Sequence, residues 1–72
     1  MRLSECIKGQ TLIIKNNNIQ DLKLKKYTMD IGLINNTLLK IIKSSNPIIL
    51  KCRNCSLCIS KDIAYDIICE AI

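Results

Sequence analysis

The sequence predicts a small, mainly β protein: an antiparallel barrel of about five short strands with one α-helix inserted at about residues 21–31. Its 72 residues suffice for one domain, residues 1–72, that buries about 60% of its surface on folding. The core has to be aliphatic, because the chain holds fifteen Ile and nine Leu but no Phe or Trp. Branched side chains favour strands, and short apolar segments alternate with turn residues. A closed sheet suits such a chain because it hides strand edges.

The first half of the chain predicts one strand and the helix. Residues 11–15 are apolar and β-branched, and we expect the Asn triplet 16–18 to form a loop, since Asn hydrogen-bonds its own backbone. Asp21 can accept the backbone N–H groups that open a helix running from Leu22 to about Asp30. Gly32 can then end that helix with a positive φ.

The helix carries a narrow apolar stripe at helical spacing. Leu24, Tyr27 or Thr28, and Ile31 share one face. A helix of about ten residues is not stable alone, so this stripe has to pack on the sheet.

The second half of the chain predicts four strands in succession. Their predicted bounds are residues 37–43, 47–52, 55–60 and 65–70. A short helical turn at 61–64 is expected between the last two strands. Pro47 stands at the first position of its strand, where a missing N–H is tolerated. Arg53 and Asn54 form the expected tight hairpin turn, in which Asn54 can adopt a positive φ.

Five cysteines raise the question of a metal site. Cys52, Cys55 and Cys58 have C-x2-C-x2-C spacing, and Cys52 with Cys55 around a tight turn could bind Zn²⁺ or Fe²⁺ through two thiolates. In a regular strand, however, Cys55 faces one side with Leu57, whereas Cys58 faces the other. We therefore expect no metal site or cofactor, with Cys55 a small core residue and Cys58 a surface thiol; the alternative is a metal at Cys52 and Cys55.

Cys6 and Cys69 could complete a metal site only if the chain ends folded back to the hairpin. The N-terminal residues hold no apolar stretch long enough for a secretion signal, so we expect a reducing, cytoplasmic setting without disulfides. No apolar run approaches the length of a transmembrane helix.

The net charge of +5 suggests an anionic partner, but the basic residues are dispersed. Only Lys23, Lys25 and Lys26 cluster, and they lie on the predicted helix. The two tyrosines are the only aromatic side chains available to stack on bases. These observations favour a solvated basic surface over a nucleic-acid site.

The residue types needed for catalysis are missing. The chain has no His, so no imidazole can activate a thiol nucleophile. Gly9 and Gly32 are isolated and form no phosphate loop. Asp62 and Asp66 are typical of helix capping and a solvated surface. We therefore expect a binding protein and no enzyme.

The order of the short motifs resembles the FeoA family, the small cytosolic accessory proteins of bacterial ferrous iron transport. The motifs that carry the resemblance are Leu3 with Gly9, Ile31-Gly32-Leu33, the aliphatic strand 38–42, Asn46-Pro47-Ile48, Arg53-Asn54, the strand 57–59 and the Ala-containing segment 61–64. The resemblance implies an SH3-like barrel with a helix inserted between the first two main strands.

The chain departs from the family pattern in three respects, which are two turns, one helix position and the cysteine-rich strand pair. Asn36 and Asn54 replace glycines at turns, and Asn readily adopts the positive φ that such turns need. Thr28 stands where the family usually has Leu on the helix. Either the core is smaller at this position, or the side chains of Tyr27 and Met29 fill the space that Leu would occupy. The cysteine-rich strand pair is no feature of the family.

The resemblance implies a regulator or assembly factor of Fe²⁺ uptake that contacts the ferrous iron permease, a membrane transporter with a cytosolic GTP-binding domain. Membrane association would come only through that partner. Contact through the side of the helix that carries Lys23, Lys26 and Tyr27 is one interpretation; the other is that the helix only covers the barrel. Two alternative functions stay open: a stand-alone cysteine metal-binding module and a basic small barrel that binds nucleic acid.

Overall fold

The computed structural model describes residues 1–72 and contains one antiparallel sheet with two helices. The elements are β1 Thr11–Asn17, α1 Leu22–Asp30, β2 Leu38–Lys43, β3 Ile48–Cys52, β4 Cys55–Ile59, α2 Lys61–Ala64 and β5 Ile67–Ala71. A single 3-10 turn at Leu3–Glu5 precedes them. The predicted mainly β fold with one inserted helix is confirmed.

The five strands hydrogen-bond in the order β4-β3-β2-β1-β5. One core cluster takes side chains from all of them, including Ile59 of β4 and Ile67 of β5, the two edge strands. Since both edges share one core, the sheet curves round it. The cluster consists of aliphatic side chains, three cysteines and one alanine, as the composition predicted.

Helix α1 has the predicted bounds and the predicted ends. Asp21 Oδ1 accepts hydrogen bonds from the backbone N–H of Lys23 at 3.0 Å and of Leu24 at 3.2 Å. Gly32 follows the helix with a backbone φ of +108°, a conformation that residues other than glycine rarely adopt. Neither α1, with 9 residues, nor α2, with 4 residues, has the length and apolar character of a membrane-spanning helix.

The prediction that the Asn triplet forms a loop is wrong for its first two residues. Asn16 and Asn17 belong to β1 and pair with Ile68 and Ile67 of β5, after a register shift that begins at Ile14. Strand pairing with β5 satisfies the backbone there, so the local turn preference of Asn is overridden. Asn17 is buried, and its side chain has a role described below.

The bounds of the other strands differ from the prediction by one or two residues. The largest shift is at β5, which begins at Ile67 because Tyr65 and Asp66 complete the turn after α2. Ser60 lies outside β4, since its side chain caps α2 by accepting from the Ile63 N–H. Pro47 precedes β3.

Two asparagines hold turns in the left-handed region, as predicted. Asn36 has φ +70° before β2, and Asn54 has φ +67° between β3 and β4. Arg53 also has a positive φ of +52°, so the two residues form a two-residue turn with mirror-image geometry. This turn sets Cys52 directly opposite Cys55.

Candidate partner-binding surface

Helix α1 is fastened to the sheet by a buried polar pair. Asn17 Nδ2 of β1 donates to Thr28 Oγ1 at 2.9 Å, and that hydroxyl donates to the Lys25 carbonyl at 2.8 Å. Asn17 Oδ1 accepts from the Ile19 N–H at 3.1 Å. Both side chains are buried, and no buried polar side-chain atom of the chain lacks a partner. The pair therefore fixes the orientation of the helix.

The pair also explains the missing aliphatic residue on the helix. Tyr27 is 54% exposed and Met29 is 46% exposed, so the alternative that these two side chains fill the core in place of Leu is wrong. The hydrogen bond from Asn17 to Thr28 takes the place of the aliphatic contact, and Leu24 and Ile31 add partly buried apolar contacts. Two side chains that could have filled the core are left on the surface instead.

The three predicted contact residues lie together on the exposed part of α1. Lys23 and Lys26 are three positions apart and Tyr27 is four from Lys23, so all are neighbours on the helix surface. Leu22 at the start of the helix is 80% exposed. None of these lysines has an acidic partner, because the one salt bridge of the protein joins Lys15 to Glu70 at 3.7 Å. Helix α1 thus presents uncompensated positive charge beside exposed apolar side chains.

An open groove of about 480 Å³ borders this surface. It lies between α1, the end of β1 and the segment that leads to β2, and its lining residues are Asn16, Asn17, Lys25, Met29, Leu33, Ile34 and Asn35. Amide groups and one ammonium group stand beside an aliphatic wall. Sequence reasoning missed the groove, because it treated both Asn clusters as turns only; their position on either side of the helix was the available signal.

The hairpin between β3 and β4 brings the two cysteines of the candidate metal site opposite each other, but it buries only one of them. Cys52 is buried, and its Sγ donates to the Gly32 carbonyl at 3.8 Å. Burial raises the pKa of the Cys52 thiol, although Arg53 opposes this. Cys55 is exposed at the hairpin tip, so the expectation that it is a core residue is wrong. Strand alternation placed Leu57 and Ile59 inward, but the tip extends beyond the core.

Of the remaining cysteines, Cys58 lies further along β4, and the other two lie outside the hairpin. Cys58 is exposed, as expected, whereas Cys6 and Cys69 are buried in the core. Burial raises the pKa of the Cys69 thiol to about 11. Nowhere do three or more His, Cys, Asp or Glu side chains gather in a group that could hold a metal ion. One chain therefore supplies two thiols at the hairpin, fewer than the four ligands of a structural zinc site.

Comparison with known proteins gives one family and several structures. A family model described as the FeoA domain matches residues 1–71. No curated protein matches the chain significantly.

Three solved structures illustrate the likeness. A FeoA-like protein from Clostridium acetobutylicum is 27% identical with a TM-score of 0.86, over 100% of this chain and 86% of that one. An iron uptake regulatory protein, FeoA, is 20% identical with a TM-score of 0.90, over 100% and 97%. Stenotrophomonas maltophilia FeoA, solved with zinc and described as a procaryotic SH3 domain protein, is 10% identical with a TM-score of 0.85, over 97% and 89%.

These likenesses agree with the strand order and the inserted helix, so the fold is SH3-like. With the family model covering all but the last residue, the chain belongs to the FeoA domain family.

Proposed function

We propose that this protein is an accessory and regulatory protein of bacterial ferrous iron uptake, acting in the cytoplasm by contact with the cytosolic, GTP-binding part of the ferrous iron permease. The family match supports this, and a protein of the same fold is described as an iron uptake regulatory protein. In this proposal the protein reaches the membrane only through its partner, and it does not bind nucleic acid.

The exposed surface of α1 is the observation that carries the proposal. Lys23 and Lys26 have no acidic partner, and Tyr27 lies beside them with more than half of its area exposed. Interfaces combine such aromatic contact area with a charged rim, and the buried pair of Asn17 and Thr28 keeps the helix rigid. We therefore assign the permease contact to Lys23, Lys26 and Tyr27.

The proposed mode of action is binding and not catalysis. The chain has no His, and its most buried thiols have raised pKa values, which disfavours the nucleophilic thiolate. The regulatory effect would then come from holding the permease in one conformation, since a protein ligand shifts an equilibrium by its differential affinity.

The function is tested by ferrous iron uptake in anaerobic cells of the organism that encodes the protein. Deleting the gene lowers uptake of labelled Fe²⁺, and the wild-type chain restores it. The triple variant Lys23→Glu, Lys26→Glu, Tyr27→Ala restores little, because it reverses the charge and removes the aromatic contact. A matched control, Lys8→Glu with Lys43→Glu, changes two exposed lysines outside α1 and restores uptake. Unchanged uptake in the deletion strain with an intact permease would contradict the proposal.

A further inference from the structure

The outward face of the sheet brings two lysines directly opposite each other. Lys40 of β2 pairs with Lys51 of β3. Thr11 of β1 pairs with Lys40 on one side, and Ser56 of β4 pairs with Lys51 on the other. Four neighbouring strands thus contribute one row across the sheet, with two ammonium groups in the middle and a hydroxyl group at each end.

The burial pattern places this row on the side away from the core. In β2, Leu39 and Ile41 are buried and Lys40 between them is exposed. In β3, Leu50 is buried and Lys51 next to it is exposed. Since side chains alternate along a strand, both lysines point outward from the sheet.

The arrangement lowers the stability of the isolated protein. Like charges directly opposite each other on neighbouring strands repel. No carboxylate pairs with either lysine. The nearest one by register, Glu70 of β5, lies on the same face opposite Ile13 and forms its salt bridge with Lys15. An acidic side chain placed between the two ammonium groups would turn the repulsion into two attractions.

Aliphatic side chains flank the lysines on the same face. Leu38 is 55% exposed and Ile42 is 43% exposed, on either side of Lys40 in β2. Ile13 lies opposite Leu38, and Ile49 lies two residues before Lys51; both are half-buried. We call Leu38, Lys40, Ile42, Ile49 and Lys51 the outer sheet face. It alternates aliphatic and basic groups.

We propose that the outer sheet face is a second interaction surface, and that its partner is a protein segment that carries carboxylates between aliphatic side chains. The carboxylates pair with Lys40 and Lys51, and the aliphatic groups cover Leu38 and Ile42. Charge complementarity commits the surface to an acidic partner. The face holds no aromatic side chain on which bases could stack, which favours protein over single-stranded nucleic acid. The inference does not depend on the role in iron uptake.

The test is a titration of the full, ¹⁵N-labelled chain, followed by NMR shifts of backbone amides. The probe is an acetylated and amidated peptide of alternating Leu and Glu, and the comparison peptide has Lys in place of every Glu. We expect the acidic peptide to shift the amides of β2 and β3 in a saturable way, and the basic peptide to leave them unchanged.

A charge reversal separates binding from folding. Lys51→Glu creates an opposite-charge pair with Lys40, so the variant melts at a higher temperature than the wild type while binding the acidic peptide at least about tenfold more weakly. Lys26→Glu makes the same charge change on α1 and leaves peptide affinity unchanged. Because Lys51→Glu is the more stable protein, its weaker binding cannot come from unfolding.

Four results would overturn the inference. They are the absence of amide shifts in β2 and β3, equal affinity of Lys51→Glu and wild type, equal binding of the basic peptide, and tighter, Lys51-dependent binding of an oligonucleotide or of anionic lipid vesicles. Any of these four results, found together with an uptake defect of the α1 variant, would rule out the second interaction surface. The proposed function in iron uptake would still stand.

Discussion

The buried contact between Asn17 and Thr28 is the most specific single-residue feature of this protein. Each partner looks unfavourable alone: an Asn at the end of a strand, and a Thr on the inner face of a helix. Together they satisfy each other and join β1 to α1. Removing one partner of a buried polar pair leaves the other without a hydrogen bond, so one substitution tests the contact.

Thr28→Val keeps the shape of the side chain and removes its hydroxyl. We expect the free energy of unfolding to fall by about 1–3 kcal/mol, because Asn17 Nδ2 is left buried without an acceptor. Urea denaturation measures the change, and Thr28→Ser, which keeps the hydroxyl, is the matched control. A Val variant as stable as the wild type would show that the contact does not fasten the helix.

Thiol exposure predicts how the five cysteines react. Cys55 and Cys58 are exposed and the other three are buried, so a disulfide reagent added at pH 8 should modify two thiols quickly. The remaining thiols should react only as fast as the protein opens. The double variant Cys55→Ser, Cys58→Ser should lose the whole fast phase. A fast phase of three or more thiols would contradict the buried position of at least one of Cys6, Cys52 and Cys69.

Burial of Cys69 predicts how stability depends on pH. Its folded pKa is raised from 9.0 to about 11, mainly by desolvation. Above pH 9 the unfolded chain loses this proton first, so stability falls as pH rises from about 9 to 11. Urea denaturation at several pH values measures the slope. Cys69→Ala should be less stable at neutral pH and have a shallower slope; an unchanged slope would mean that this thiol does not contribute.

The hairpin between β3 and β4 shows how far element-scale reasoning from the sequence reaches. The turn at Arg53 and Asn54 was predictable, since Asn is the residue other than Gly that most readily takes a positive φ. The exposure of Cys55 was not, because alternation predicts the face of a strand but not how far its end extends past the core. The extension of β1 as far as Asn17 was not predicted for a related reason. It depends on pairing with β5, a contact between residues that are far apart in the sequence.

The same hairpin gives an element-scale prediction. Asn54→Gly should keep or raise stability, whereas Asn54→Ala should lower the free energy of unfolding by about 1 kcal/mol, since a Cβ strains a left-handed residue. Thermal and urea denaturation of both variants measure these changes in stability. Equal stability of the Gly and Ala variants would mean that the turn relaxes to another geometry.

At the scale of the whole molecule, the order of short motifs predicted the SH3-like fold and the FeoA family. Most of the motifs are only two or three residues long, but the ordered set constrains where the helix is inserted and where each turn falls. The pairing of Lys40 with Lys51 was beyond such reasoning, because it depends on strand register, which a bulge at Ile41 and Lys43 shifts. The groove beside α1 likewise arises only when distant segments meet.

The proposed contact between the helix surface and the permease is tested most directly by binding. The purified chain is titrated against the full-length ferrous iron permease of the same organism, held in lipid nanodiscs, and binding is followed by calorimetry. We predict saturable binding that Lys23→Glu with Lys26→Glu weakens at least about tenfold and that Lys8→Glu with Lys43→Glu leaves unchanged. No binding by the wild-type chain, or equal binding by the helix variant, would contradict the account.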